Sequence, residues 1–147
     1  MNGPAPKRRF WGWGVEGVGP TREQQAKMGA TIATRFGAPL NEAIEPPTID
    51  EIDLREPRVA PPDSLAHLCT TDTEERAAHT YGKSFRDVWR ALHRDLSNPP
   101  DLVAIPRDEA DIVALLDWCS DQRLLGAVLP RDDRHHGRRR RRHFHYA

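Results

Sequence analysis

The sequence lacks most of the features that identify the compartment or the chemistry of a protein. It has only two cysteines in 147 residues, Cys69 and Cys119, and their wide separation argues against a disulfide framework or a zinc site. No apolar run approaches the roughly 18 residues that a membrane span requires. The basic N-terminus lacks the apolar segment of a signal peptide. We therefore expect a cytoplasmic chain with no membrane span.

Apolar residues are scarce, and prolines crowd the first half of the chain. Hydrophobic residues make up 37% of the sequence, and nine of its 13 prolines precede residue 63. No nucleophile–histidine–aspartate order, paired-carboxylate spacing or Walker phosphate loop is present. The composition predicts a modest core preceded by an extended arm and a Pro-rich wrapping segment, residues 1–62. We assign no catalytic residue and no metal ligand.

A net charge of zero hides a strong asymmetry between the body of the chain and its C-terminal tail. Residues 131–142 hold seven arginines and two aspartates, a net charge of +5, which leaves −5 on residues 1–130. Five consecutive arginines repel one another and resist folding. We therefore expect the basic tail, residues 131–147, to be disordered and irrelevant to the core.

The clearest structural pattern lies in residues 99–130. The apolar run 102–105 ends at a proline, as a strand does, and Asp108 is suited to cap a following helix. A second apolar run, 127–129, ends at Pro130. Two short apolar strands around one helix predict a βαβ unit with adjacent parallel strands. The helix carries an apolar stripe at helical spacing, formed by Ile112, Leu115, Leu116 and Cys119.

The ends of this helix give two further expectations. Gly126 is close enough to the helix end to form the exit turn. Cys119 is expected to be a small buried thiol, since it lies on the apolar stripe.

Three earlier segments are predicted to be helical. Thr21 and Gln24 form a capping box for a helix that ends near Phe36, with Gly37 as its C-terminal residue. Its thin apolar stripe, Met28, Ile32 and Phe36, needs a partner surface. The helical segment 63–98 contains a short turn at 63–68, a helix capped by Asp72 and closed by Gly82, and a mixed stretch at 84–96.

Two ionisable residues of this segment and three aromatic residues of the arm are candidates for a site. His79 and Arg86 are candidates for a cleft, but ordinary helix-surface positions are favoured for both. Phe10, Trp11 and Trp13 lie among glycines that prevent a helix. We interpret them as an arm that docks on the body of a larger protein, in preference to a base-stacking site for nucleic acid.

Three stretches of the sequence resemble one family of flavin oxidases. They are 7–14 (KRRFWGWG), 78–87 (AHTYGKSFRD) and 100–106 (PDLVAIP). Together they resemble, in order and approximate spacing, the alkylglycerone-phosphate synthase branch of the vanillyl-alcohol oxidase family, which has a PCMH-type FAD-binding domain. The resemblance covers residues 7–130. It implies an α+β fold in which residues 99–130 are the truncated start of the FAD-binding domain.

The resemblance also implies the cofactor and its site. In this family the second strand runs into a proline and then a glycine-rich loop that holds the FAD pyrophosphate. Pro130 is the only residue that matches this cofactor-binding site. The flavin-facing and catalytic residues of the family lie mostly downstream and have no counterparts here, so we expect the chain alone to be inactive.

Two origins of the basic tail stay open. Arginine outnumbers lysine 19 to 3, which is typical of a GC-rich coding sequence. Glycine codons in such DNA read as GGC repeats, and a shift of two bases turns them into arginine CGG codons. The tail is therefore either a shifted-frame reading of the glycine-rich loop or a genuine basic extension.

Three interpretations of function follow. In the first, the chain is an N-terminal portion of an FAD-dependent oxidoreductase, its partner is the remainder of that flavoprotein, and no specific nucleic acid is expected. In the second, the chain is a small nucleic-acid-binding protein that acts through its arginine-rich tail. In the third, it is a non-catalytic partner of a separately encoded flavoprotein. We favour the first interpretation.

Overall fold

The computed structural model describes residues 6–40 and 43–127. These residues form helices and one small two-stranded sheet. The combination of helices with an antiparallel strand pair confirms the predicted α+β class. The chain divides after Arg107 into two units, residues 1–107 and 108–147. In chain order the elements are α1 Arg22–Phe36, a 3₁₀ turn Ile49–Glu51, α2 Asp63–Ala66, β1 Cys69–Thr70, α3 Thr73–Ala78, α4 Phe85–Leu92, β2 Val103–Ala104 and α5 Glu109–Asp121.

Helix α1 begins and ends where the sequence predicts. The Thr21 hydroxyl accepts from the Gln24 backbone N–H, and the Gln24 side chain accepts from the Thr21 N–H at 2.8 Å. Gly37 ends the helix with φ 63°, a left-handed conformation that glycine adopts without steric cost. No residue of α1 is buried, and its apolar stripe is exposed.

The N-terminal arm is a hairpin, which corrects the expectation of an extended arm. Arg8 and Val15 form an antiparallel bridge, and the Glu16 N–H donates to the Lys7 carbonyl at 2.9 Å. Gly14, with φ 95°, permits the reversal between the two sides. Lys7 pins the hairpin to α3 through an ion pair with Glu74 at 2.7 Å.

The core of the first unit forms where this hairpin meets the Pro-rich segment and two helices. Its buried members come from the hairpin, the 3₁₀ turn region, α3, α4 and the loop after α4: Phe10, Ile52, Ala77, Ala91 and Leu96. Trp11 and Tyr81 pack against this cluster and are partly buried. The arm therefore docks on this chain's own helices, whereas the sequence suggested the body of a larger protein.

Helices α2, α3 and α4 follow the predicted order, with shorter bounds for α3. The turn α2 buries Leu65 as predicted. Asp72 caps α3 by accepting from the Glu75 N–H at 3.0 Å, but α3 ends at Ala78, well before the predicted Gly82. The His79 N–H donates to the Glu75 carbonyl at 3.2 Å and closes the helix without a glycine.

The sheet pairs β2 with a strand that the sequence did not predict. Strands β1 and β2 are antiparallel, with Cys69 opposite Ala104 and Thr70 opposite Val103. The Ile105 N–H donates to the Leu68 carbonyl at 2.8 Å and extends the pairing by one residue. Two residues are too few to show the period-2 pattern of a strand, so β1 is invisible in the sequence.

In the second unit, helix α5 confirms the predicted helix start but not its exit. Asp108 caps α5 by accepting from the Asp111 N–H at 2.9 Å. Arg123, with φ 54°, takes the left-handed position that the sequence assigned to Gly126. The Leu124 N–H donates to the Cys119 carbonyl at 2.8 Å and closes the turn before Gly126 is reached. Cys119 is half-buried, so its prediction as a buried thiol is wrong.

The second half of the predicted βαβ unit lies mostly outside the described residues. Residues 128–147 fall there, and with them Pro130 and the basic tail; Ala127 is in no strand. The parallel strand pair and the division into four segments, 1–62, 63–98, 99–130 and 131–147, stay predictions. Within 6–40 and 43–127, no helix is long and apolar enough to cross a membrane.

The arm can be tested as part of the core by truncating Phe10, which is only 6% exposed. We expect Phe10→Ala to lower the free energy of unfolding by about 3 kcal/mol, because it removes a buried ring and leaves a cavity. Urea denaturation followed by circular dichroism measures the change. Phe36→Ala on α1 is the matched control, since Phe36 is 75% exposed. Equal effects of the two substitutions would contradict a docked arm.

Candidate functional site

A buried guanidinium on α3 connects two loops in the middle of the chain. The Arg76 side chain on α3 is only 4% exposed. Its Nε donates to the Pro100 carbonyl at 2.9 Å, and its Nη2 donates to the Arg55 carbonyl at 2.6 Å. A fully buried charge is costly unless its donors are satisfied, and here they are used to join two loops that lie far apart in sequence.

The carboxylate of Asp101 accepts hydrogen bonds from two further arginines. Arg55 donates Nη1 to Asp101 and Nη2 to the Pro99 carbonyl at 2.6 Å. Arg58 donates its backbone N–H to Oδ1 of Asp101 at 2.9 Å and its Nη2 to Oδ2 at 2.9 Å. We call Arg55, Arg58, Arg76 and Asp101 the arginine–aspartate hub. The hub attaches the Pro-rich segment to the residues immediately before β2.

The hub perturbs the protonation of its only carboxylate. Hydrogen bonds from the Arg58 side chain, and then from Arg55, lower the pKa of Asp101 well below its ordinary value of 3.8. The Asp101 carboxylate is thus held ionised by two guanidiniums. This arrangement is suited to fixing a loop rather than to proton transfer, because general acid–base catalysis needs a pKa near the working pH.

A second cluster presents aromatic rings at the surface where the arm meets α4. Phe85, Trp89 and His93 follow one another at single-turn spacing, with ring centroids 6.4 Å and 4.4 Å apart. The Trp13 indole N–H of the arm donates to the Lys83 carbonyl at 2.6 Å, beside the start of α4. We call Trp13, Phe85, Trp89 and His93 the aromatic face.

Lys83 joins this face to the core. Its ammonium donates to the Phe10 carbonyl, and burial lowers its pKa below the ordinary value. On the arm, the guanidinium of Arg9 donates to the carbonyls of Trp13 and Val18 and lies 5.1 Å from the Trp11 ring centroid. These cations satisfy backbone carbonyls at the place where the hairpin turns.

The residues singled out in the sequence do not form a cleft. His79 closes α3, with its Nδ1 2.8 Å from the Glu75 carbonyl oxygen. Arg86 lies exposed on α4. The structure shows no contact that joins these two side chains. Pro130 lies outside the described residues, so its place at the cofactor site stays a prediction.

Sequence reasoning missed the hub because no short motif marks it. Arg55 and Arg58 lie in the Pro-rich segment, and Asp101 follows two prolines. The available signal was limited to an aspartate directly before the apolar run 102–105. The partners of Arg76 lie more than 20 residues away along the chain, so the spacing of residues in the sequence does not predict them.

Two of the cavities that the described residues line have no glycine in their lining. One is a groove of about 600 Å³ along α1 that includes Met28 and Ile32. The other is a smaller polar cavity of about 290 Å³ beside the hub, lined by side chains that include Asp53, Glu56 and Thr73. A pyrophosphate site needs backbone amides that approach closely, usually at glycines. Neither cavity has that character.

Comparison with known proteins gives one short similarity. A 46-residue part of the chain is 35% identical to alkyldihydroxyacetonephosphate synthase of Trypanosoma brucei brucei. This part is 31% of the chain and 8% of that enzyme. No family model and no solved structure matches. The similarity is therefore local, and the chain spans a small fraction of the enzyme that it matches.

Replacement of Arg76 tests whether the hub holds the loops together. We expect Arg76→Met to lower the free energy of unfolding by about 2 to 3 kcal/mol, because two partly buried carbonyls lose their charged donor. Urea denaturation measures the effect. Arg86→Met on α4 is the control for loss of an exposed arginine, and should change stability by less than about 0.5 kcal/mol. Similar values for both variants would show that Arg76 is not structurally special.

The lowered pKa of Asp101 predicts a specific pH dependence of stability. Because the folded-state pKa lies below the unfolded one, the contribution of Asp101 is fully present above its ordinary value of 3.8. It is lost as the pH falls below that value toward the folded-state pKa. The stability gap between the native chain and Asp101→Asn should therefore be about 1 to 2 kcal/mol near neutral pH, allowing for screening of the exposed Arg58, and should narrow below about pH 4.

Urea denaturation at several pH values between about 6 and 3 measures this gap. Asp117→Asn on the exposed side of α5 controls for general charge effects. A gap that stays constant over this range would contradict the assignment to Asp101.

Proposed function

We propose that the chain is an N-terminal portion of an FAD-dependent oxidoreductase that resembles alkylglycerone-phosphate synthase. It contributes the arm and the start of the FAD domain, and no catalytic group. The observation that carries this proposal is the local identity to the synthase of Trypanosoma brucei brucei. The three stretches that resemble this branch, in the order and approximate spacing of the family, point the same way.

The packing of the first unit supports the proposal. Stretch 7–14 places Phe10 in the core and Trp13 on the Lys83 carbonyl of stretch 78–87. Stretch 100–106 is joined to α3 through the bond from Arg76 to the Pro100 carbonyl. Three stretches that are distant in sequence thus belong to one packed unit, as expected for parts of a single structural module.

The described residues do not themselves fit FAD. The α5 N-terminus carries the carboxylates of Asp108, Glu109 and Asp111, which repel a pyrophosphate where the helix dipole would otherwise attract it. Neither cavity offers a glycine cradle. When bound in such enzymes, the flavin supplies the redox chemistry, and the protein supplies binding and orientation. The proposal therefore places the FAD phosphates at a loop that starts at Pro130.

The gene itself tests the proposal. The DNA beyond the Pro130 codon should contain, in another frame, a proline followed by a glycine-rich loop and a long continuation. Sequencing of the transcript and mass spectrometry of the native protein establish which frame is translated. A genuine stop codon after Ala147, with no glycine-rich loop in any frame, would contradict the proposal and favour a separate basic protein.

The purified chain is expected to retain no FAD. A dinucleotide needs a concave site that buries most of its surface, and the described residues do not provide one. The arginines of the tail attract anions only over about 8 Å at physiological ionic strength. Gel filtration after incubation with FAD, followed by flavin absorbance, measures retention. Inorganic pyrophosphate should displace any flavin bound at low salt, whereas a stoichiometric flavin that survives high salt would overturn the expectation.

A further inference from the structure

The fold of the first unit brings together two basic stretches that carry exposed aromatic rings. Residues 7–9 contribute three cations, and residues 83–94 contribute four cations and one carboxylate. These two stretches together carry +6, so the rest of residues 1–130 carries −11. Contact between Trp13 of the arm and Lys83 brings the two basic stretches together.

The rings of the aromatic face are accessible, although aromatic side chains normally bury their area. Phe85 is 85% exposed, Trp13 is 64% exposed and Trp89 is 52% exposed. Phe85, Trp89 and the C-cap residue His93 lie at i, i+4 and i+8, so they form one row about 12 Å long along α4 and its C-terminal end. The other apolar side chains of α4 are not exposed, since Val88 and Leu92 are partly buried and Ala91 is buried. The exposed surface of this helix is therefore aromatic rather than aliphatic.

Several cations beside the row are not neutralised by carboxylates. Arg86 follows Phe85 on α4 and makes no ion pair within residues 6–40 and 43–127. Lys83 and Arg9 donate to backbone carbonyls, which leaves their charges uncompensated. In contrast, three cations of the two stretches are paired with carboxylates. Lys7 pairs with Glu74 at 2.7 Å, Arg90 with Asp95 at 3.7 Å, and Arg94 with Glu51 at 3.2 Å.

We propose that the aromatic face binds single-stranded nucleic acid without sequence preference. Unpaired bases stack on the exposed rings of Phe85, Trp89 and Trp13, and the phosphates lie against Arg86 and the neighbouring cations. Rings with free faces next to positive charge are the two components of such sites. The inference does not depend on the proposed relationship to a flavoprotein, because it uses only this surface.

The chemistry of the face favours this occupant over a duplex or a lipid surface. A duplex keeps its base faces stacked inside, so it offers phosphates but no ring faces. An interfacial helix buries a broad apolar stripe in the membrane. Here the exposed row ends in His93, whose ring is tilted by 36° against that of Trp89, and includes no exposed aliphatic residue.

Binding of fluorescein-labelled oligo(dT) to the full chain, followed by fluorescence anisotropy, tests the proposal. An abasic oligonucleotide of equal length carries the same phosphates without bases, so it measures the electrostatic part alone. We expect oligo(dT) to bind roughly tenfold or more tightly than the abasic strand. The arginine-rich tail is present in every variant and cannot produce this difference by charge.

Matched substitutions locate the site. Phe85→Leu and Trp89→Leu should each weaken oligo(dT) binding roughly five- to tenfold, with unchanged circular dichroism because both rings are exposed. Phe36→Leu on α1 is the control for loss of an exposed ring. Arg86→Gln should reduce the salt dependence of binding by about 0.7 in the log–log slope, and Arg35→Gln on α1 should not.

Three results would overturn the proposal. The first is equal affinity for oligo(dT) and the abasic strand. The second is equal binding by the ring variants and the Phe36→Leu control. The third is an effect of the ring variants on binding to phosphatidylserine vesicles, or on self-association in sedimentation velocity, without an effect on oligo(dT). If a ring variant misfolds, two measurements still test the proposal. They are the salt dependence of binding by Arg86→Gln against Arg35→Gln, and the affinity of the native chain for oligo(dT) against the abasic strand.

Discussion

The buried guanidinium of Arg76 is the interaction on which the first unit depends. It bonds to backbone carbonyls in two loops, one before α2 and one before β2, that have little regular structure to hold them. Arg55, one of the residues it fixes, in turn holds Asp101. A chain with so few apolar residues obtains order from charged hydrogen bonds that a larger core would make unnecessary.

The N-terminal arm is likewise held by polar contacts around a small buried core. Its hairpin buries one ring, Phe10, and is secured by polar contacts from Lys7 and Lys83. The neighbouring Trp13 keeps most of its ring in solvent while its N–H is satisfied. Such amphipathic use of aromatic residues gives one segment two roles, since one face completes the core and the other remains available for binding.

The proposed relationship and the inferred surface concern separate parts of the molecule. The flavin oxidase resemblance directs attention to the segment after β2 and to a loop at Pro130, whereas the aromatic face lies on α4 and the arm. The start of α5 is acidic, so it disfavours the binding of anions at that helix end.

Local features were determined by the sequence alone. The capping box of α1, the start of α5 at Asp108 and the left-handed Gly37 follow from short-range hydrogen bonding and steric freedom, which depend on a few adjacent residues. Helix ends without glycine, as at Arg123, were harder to predict, because an adjacent hydrogen bond can stabilise a non-glycine residue in the left-handed conformation.

Only the tertiary structure decided which segments meet. Strand β1, the burial of Arg76 and the union of the arm with α4 join residues separated by 20 to 70 positions, as in the 70-residue separation of the Trp13–Lys83 bond. Such partners depend on the energy of the assembled unit, which no local pattern encodes.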